Sequence, residues 1–423
     1  MTMEKENRKM LIPEFGPFAG LRVVSAGSLV AMPHAGAMLA DFGAEVIHIE
    51  RPGVGDTLRS LAPFSEHSKE PLSNAWAQEG RNRLSMTLDL NLNKPGVKEI
   101  FFGLIKDSDI FMENLVWLDK LGISDDELLE INPRLVIAHV SGYGRPEFGG
   151  DPEICNRASY DMIGQAFSGY MFLNGDPDAP TPTLTKPWMN DYVSGLHCVF
   201  GVLAAYLNVL KTGKGQVVDV AQFEACGRIM CDSFVTYTEN HKITHRSGTK
   251  SRAFQPYGIF FDKNKESVAI GAFGPAVLKR FVQAVGWDPE YFNYRDVSSG
   301  PEAIDSEKGR ELDQKITEWC SERTVDEIVT HLSKYKVPCS KVNNAEDCYN
   351  NKHFHDRGDF ITYTDETKGE DVTTFGFCPK FSDTPGRVWR GAPRLGQDTE
   401  TILRELVGFD ETQIQNCKDT KII

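Results

Sequence analysis

The feature that most constrains this chain is a regular exchange of strand-like and helix-like segments through its first half. "LRVVSAG" (21–27), "AEVIHIE" (44–50), "RLSMTLDL" (83–90), "DIFMEN" (109–114) and "RLVIAHVSGYG" (134–144) read as short strands. Between them lie "PHAGAMLADFG" (33–43), "GVKEIFFGLIKDS" (96–108) and "SDDELLEIN" (124–132), which read as helices. Strands separated by helices pair in parallel, so the pattern predicts an α/β fold with a doubly wound, Rossmann-like sheet. A long helix follows within "KPWMNDYVSGLHCVFGVLAAYLNVLKTGKG" (186–215), with Gly213 and Gly215 suited to its C-cap, then a strand and another helix. From about Thr244 the texture turns basic and turn-rich. The expected organisation is a large domain whose first part is 1–225, a linker helix region at 226–244, a smaller α+β domain at 245–345, and a return segment to the large domain at 346–423.

The chain carries 60 acidic and 46 basic residues in 423, a formal charge of −14. That balance argues against a nucleic-acid partner. Nine scattered cysteines, none in CxxC spacing, read as reduced thiols of a cytoplasmic protein, and no His/Cys pattern suggests a metal. The opening "MTMEKENRKMLIPEF" is charged and lacks the apolar centre of a signal peptide. Tyr192–Leu210 is free of formal charge and close to the membrane-spanning threshold. It includes Ser194, His197 and Asn208, so a helix buried in an α/β core is expected rather than a membrane span.

Ligands of open α/β sheets sit beyond the strand ends. The first such loop, "SAGSLVAMPHAG", does not match G-x-G-x-x-G, so no nicotinamide or flavin is expected. The second strand ends at Glu50, followed by Arg51 and then Arg59; arginines there suit a phosphate, although a solvated surface arginine is the ordinary reading. Asp191 opens the long helix and has two readings. It is an N-cap, or a carboxylate kept ionised by the helix terminus and available as a nucleophile, with Gly195 leaving room for an acyl group. Spacing alone does not choose.

Several motifs, taken in order, carry a resemblance: "GLRVVSAGSLVAMPHAGAMLADFGAEVIHIERPGVGD", "NPRLVIAHVSGYG", "ASYDMIGQAFSGYMFLNGDPDAP", "NDYVSGL", "TGKGQVVDVAQFEA" and "WRGAPRLGQDTETIL". Over about Gly16 to Gly408 the chain resembles the class III CoA-transferases of the carnitine, bile-acid and formyl-CoA transferase type. The resemblance implies an interlocked homodimer with Asp191 as covalent nucleophile, acting on an acyl-CoA and a small carboxylic acid. It implies no cofactor beyond the CoA thioester, and it places Arg51, Asn114, Lys120 and Arg157 against the CoA.

The chain departs from that family in places. "ENLVWLDKLG" is two residues shorter, with Lys120 where an arginine is common, and "RAFQPYGIF" occupies the region of a glycine-rich lid, which disfavours oxalate or formate. A carnitine-like acid, a bile acid or a 2-hydroxy acid is expected instead, with Trp188, Tyr192, Phe254 and Tyr257 able to line an apolar or cation–π pocket. α-Methylacyl-CoA racemases share this fold but carry His-Asp where this chain has Tyr160-Asp161, and a tyrosine of pKa ~10 is a poor base for an α-proton. A non-catalytic CoA-binding protein is the other alternative, and an intact Asp191 counts against it.

Overall fold

The computed structural model describes residues 8–66, 71–115, 118–366 and 369–423. Part of the opening stretch and Val116–Trp117 of the shortened loop lie outside the described residues. Strands β1 (Arg22–Ala26), β2 (Glu45–Glu50), β3 (Leu84–Thr87), β4 (Ile110–Glu113), β5 (Val136–Ser141) and β6 (Gln216–Ala221) form one sheet in the order β3-β2-β1-β4-β5-β6. Every neighbouring pair is parallel. The predicted α/β parallel sheet is therefore present, in the doubly wound strand order.

Alternate residues explain how both faces are buried. Val23, Val46, Ile110 and Val136 join one core with the first helix (Ala31–Asp41) and the long helix (Met189–Thr212). Their neighbours Val24, Ile47, Phe111 and Ile137 join another with the helix Val97–Lys106 and C-terminal residues Ile402, Leu403, Phe409 and Ile414. β3 is an edge strand, and an open edge invites pairing with another chain. Here the return segment covers it: Ser85 N–H donates to Asp398 Oδ2 at 2.8 Å, and Thr87 N–H to Thr399 Oγ1 at 2.9 Å.

The described chain divides into two compact units: Met1–Gly169 with Lys186–Cys231 and Phe354–Ile423, and a smaller one of Tyr170–Thr185 with Asp232–His353. Of the segment read as a linker, Gln222–Arg228 ends in the larger unit, whereas the helix Ser233–Asn240 is in the smaller. The smaller unit holds the antiparallel strands β7 (Tyr257–Phe261), β8 (Ser267–Gly271) and β9 (Cys339–Lys341), with its own core around Phe281, Leu312, Ile316 and Ile328. All nine cysteines are free thiols.

The long helix departs from its expected burial. Ser194, Cys198, Val202 and Ala205 are buried, but Leu196, Phe200, Leu207 and Leu210 are exposed along the other side. The reason is its place in the outer layer, where only one face meets the sheet. It is the one helix among the described residues long and apolar enough, by length and composition, to cross a membrane.

At the C-terminal ends of β4 and β5, buried His139 bonds through Nδ1 to Glu113, and Nε2 lies 3.1 Å from Asp125. Burial opposes the imidazolium, but these two carboxylates outweigh it and lift the histidine to about 9. A raised histidine contributes stability that is complete below about 6.5 and lost as pH climbs through about 9. Melting temperature should therefore fall between pH 6.5 and 9. The double variant His139→Gln/Glu113→Gln should lose that slope; an unchanged slope would refute the assignment.

Candidate active site

The strand order reverses between β1 and β4, and the crevice beyond their ends is where such sheets take ligands. The loop after β1 is held open by Asn114, which follows β4. Its Oδ1 accepts from Ser28 N–H and its Nδ2 donates to Ser28 C=O, both at 3.0 Å. Asp56 supports the same loop, accepting from Leu29 N–H at 3.1 Å and facing His48 Nε2 at 3.0 Å. Ser28 to Ala31 thus present the start of the first helix to a cavity of about 360 Å³. Arg157 to Tyr160, Asp191 and Gln222 supply other walls, and all these residues belong to the larger unit.

Asp191 is 9 % exposed and does not cap its helix. The N-cap is Trp188, in the left-handed region at φ 32°, so Asp191 is the third residue of the first turn. The capping carboxylate comes from Asp161, whose Oδ1 accepts from Asn190 N–H at 2.8 Å and from Asp191 N–H at 3.4 Å. The expectation that the helix end keeps Asp191 readily ionised is overturned as well. Burial, then the charge of Asp161, push its carboxyl up to about 7, against one hydrogen bond from Gln222 Nε2. The room expected at Gly195 is also absent: a Cβ there would meet Ala31 C=O at 2.8 Å. Gly195 serves the close packing of two helices instead.

The other predicted residues are only partly brought together. Asn114, Arg157 and Asp191 line the same cavity; Arg51 and Lys120 do not, and both are exposed. Asn114 is largely engaged by Ser28. Arg59 is unavailable to a phosphate, because it forks onto buried Glu50 at 2.6 and 2.7 Å and lies over the Trp76 ring at 3.9 Å. Burial raises Glu50, but Arg59 outweighs it and holds the carboxyl at about 2. Trp188 and Tyr192 lie in the larger unit, Phe254 and Tyr257 in the smaller, and none of the four lines the cavity. Among the described residues no cluster of three His, Cys, Asp or Glu side chains has metal-binding geometry. Asp161 as cap and Gln222 as partner have no local signal in the sequence.

Residues 18–399 match the profile described as CoA-transferase family III. The chain belongs to that family. It is 36 % identical over 412 residues to the bile acid CoA-transferase BaiK of Clostridium scindens, covering 96 % of this chain and 89 % of that one. It is 32 % identical over 417 residues to the L-carnitine CoA-transferase of a Proteus species, covering 96 % and 97 %. The crystal structure of a CAIB/BAIF family protein from Brucella suis superposes with a TM-score of 0.78 at 26 % identity, covering 93 % of this chain and 100 % of that one. This family III CoA-transferase therefore carries a buried carboxyl with a raised pKa in the crevice of its parallel sheet.

Proposed function

We propose that this chain transfers CoA from an acyl-CoA thioester to a free organic acid through covalent catalysis by Asp191. The observation that carries the proposal is the buried Asp191 carboxyl in the wall of the switch-point cavity. Burial makes its anion poorly solvated and more basic than an ordinary aspartate, which suits it to attack a carbonyl. Asp191 attacks the thioester, forming an aspartyl–acyl anhydride and releasing CoA thiolate. The thiolate attacks the aspartyl carbonyl, expelling the donor acid and leaving aspartyl-CoA. The acceptor carboxylate then reverses both steps. Donor and acceptor are both CoA thioesters of similar energy, so the cycle uses no cofactor beyond the thioester.

The start of the first helix supplies backbone N–H groups where charge develops on the substrate carbonyl. Arg157 in the cavity wall and exposed Arg51 and Lys120 suit the phosphates and adenine of CoA, while Asn114 shapes the loop beside them. The named activities of the two relatives favour an acid larger than formate, of the carnitine or bile-acid kind. The exposed stripe from Leu196 to Leu210 is large enough to need a cover, and we assign that role to a second copy of the chain. The net charge of −14 disfavours a nucleic-acid partner, and nine free cysteines suit the reducing cytoplasm.

Incubation with acyl-CoA and then hydroxylamine should mark Asp191 alone; a mark on another acid would overturn the mechanism. Arg51→Ala and Arg157→Ala should each raise KM for acyl-CoA by about 10- to 100-fold, as charged hydrogen bonds contribute about 1.5–3 kcal/mol. Unchanged KM in both, and in Lys120→Ala, would remove the CoA assignment. A racemase would exchange the α-proton with solvent without an adduct.

A further inference from the structure

Only one oxygen of Asp191 is held. Gln222 Nε2 donates to Oδ1, while Oδ2 accepts no hydrogen bond from any described residue. Gln222 is the first residue of the helix Gln222–Arg228, directly after β6, and is 7 % exposed. Its Oε1 faces Ser159 Oγ at 3.4 Å, a hydroxyl that lies at the same distance from Tyr160 C=O. A carboxylate only accepts, so the amide must turn its NH₂ toward Asp191 and its oxygen toward the hydroxyl. Among the described residues no other side chain of the cavity wall, Ser28, Thr57, Asn114 and Ser141 included, donates to Oδ1, and Asp161 accepts from the Asp191 N–H.

We infer that Gln222 is a catalytic residue: it reserves Oδ2 for attack and stabilises the negative charge that forms on Oδ1. The inference rests on Asp191 being the nucleophile. In the first step Oδ2 bonds to the acyl carbon and the C–S bond breaks, releasing thiolate. In the second, thiolate sulfur bonds to Asp191 Cγ and the Cγ=Oδ1 electron pair moves onto Oδ1. That oxyanion faces the Gln222 NH₂. Collapse re-forms Cγ=Oδ1, breaks Cγ–Oδ2 and expels the donor acid with that oxygen. When the acceptor carboxylate attacks Cγ, charge returns to Oδ1 and the same donor meets it; collapse breaks Cγ–S, and the freed thiolate attacks the acceptor's acyl carbon and breaks its bond to the bridging oxygen. The acceptor oxygen then remains on Asp191 in the Oδ2 position. Gln222 thus serves both attacks at Cγ, and the start of the first helix serves those at the acyl carbon.

The test uses an acceptor acid carrying ¹⁸O in its carboxylate, followed by mass spectrometry of the Asp191 peptide after many turnovers. With Oδ1 held, the wild-type peptide should gain one heavy oxygen and stop. Gln222→Leu should lower kcat by about 10²- to 10³-fold, the usual effect of deleting an oxyanion donor. Its KM for acyl-CoA should stay within about threefold, and its peptide should go on to gain a second heavy oxygen as the freed carboxylate rotates. A doubly labelled wild-type peptide, or Gln222→Leu with kcat within about threefold of wild type, would overturn the inference.

Should the leucine variant not fold, Gln222→Glu keeps the shape and can donate only when protonated. Its activity relative to wild type should rise as pH falls from 8 to 6; a flat ratio would overturn the inference. Asp191→Asn runs in parallel. If it stays active, the nucleophile reading has failed; if it is inactive while Gln222→Leu keeps kcat, only the role of Gln222 has failed.

Discussion

Asp191→Asn should lower CoA transfer by about 10⁴-fold or more and yield a more stable protein. Asparagine can accept the Gln222 hydrogen bond through its own Oδ1, but it cannot form an anhydride. The stability gain follows from the carboxyl being pushed up to about 7. The folded chain binds that proton more tightly than the unfolded chain does, so wild-type stability falls as pH rises from about 4 to 7. Fully ionised, the buried group opposes folding by about 4 kcal/mol. The variant lacks this term. Its advantage in melting temperature should be small at pH 4 and largest above pH 7. The kcat/KM of the wild type should follow ionisation in the opposite sense, rising with pH and levelling above about 7. Were Asp191 only a structural group, asparagine would retain activity. That outcome, or a variant destabilised at pH 8, would refute the argument.

Gly195→Ala should reduce kcat by about 100-fold with little change in stability. The added Cβ would lie 2.8 Å from Ala31 C=O and 3.3 Å from His34 Cδ2. Backbone cannot swing aside, so the long helix must move away from the first helix. Those two elements carry the nucleophile and the N–H groups that face the substrate carbonyl, and displacement of about 1 Å can lose about 10² in rate. Overpacking costs about 1–3 kcal/mol, partly offset by about 1 kcal/mol from replacing glycine inside a helix. Gly201→Ala is the control. Its Cβ would press on the Val218 Cγ1 methyl at 2.7 Å, farther along the same helix, and should leave kcat intact. Equal losses in both variants would mean that helix spacing at the site is not what matters.

The sheet was legible because its strands are continuous apolar runs separated by helices, a pattern that needs no tertiary information. The family resemblance singled out Asp191, yet its physical setting was not legible. Its cap, Asp161, lies 30 residues away and its partner, Gln222, 31 residues away. No local spacing announces such meetings. Trp188 in a left-handed conformation hides the true helix start, since a tryptophan there gives none of the usual capping signals. Arg59 misled for a similar reason. In the loop after a strand end it looked like a phosphate ligand, but Glu50, nine residues back, holds it.

The covering of β3 by the return segment governs the order in which the molecule can form. Ser85 waits for Asp398, 313 residues later. At about 5–20 residues per second of synthesis, that interval is about 15–60 s. During it the nascent sheet has a bare edge, and one of its two cores lacks Ile402, Leu403, Phe409 and Ile414. The smaller unit, with its own core, emerges complete within the same interval. Translation therefore delivers the insert before its host can close. Shortening the chain from its C-terminus removes the final closure rather than a dispensable tail.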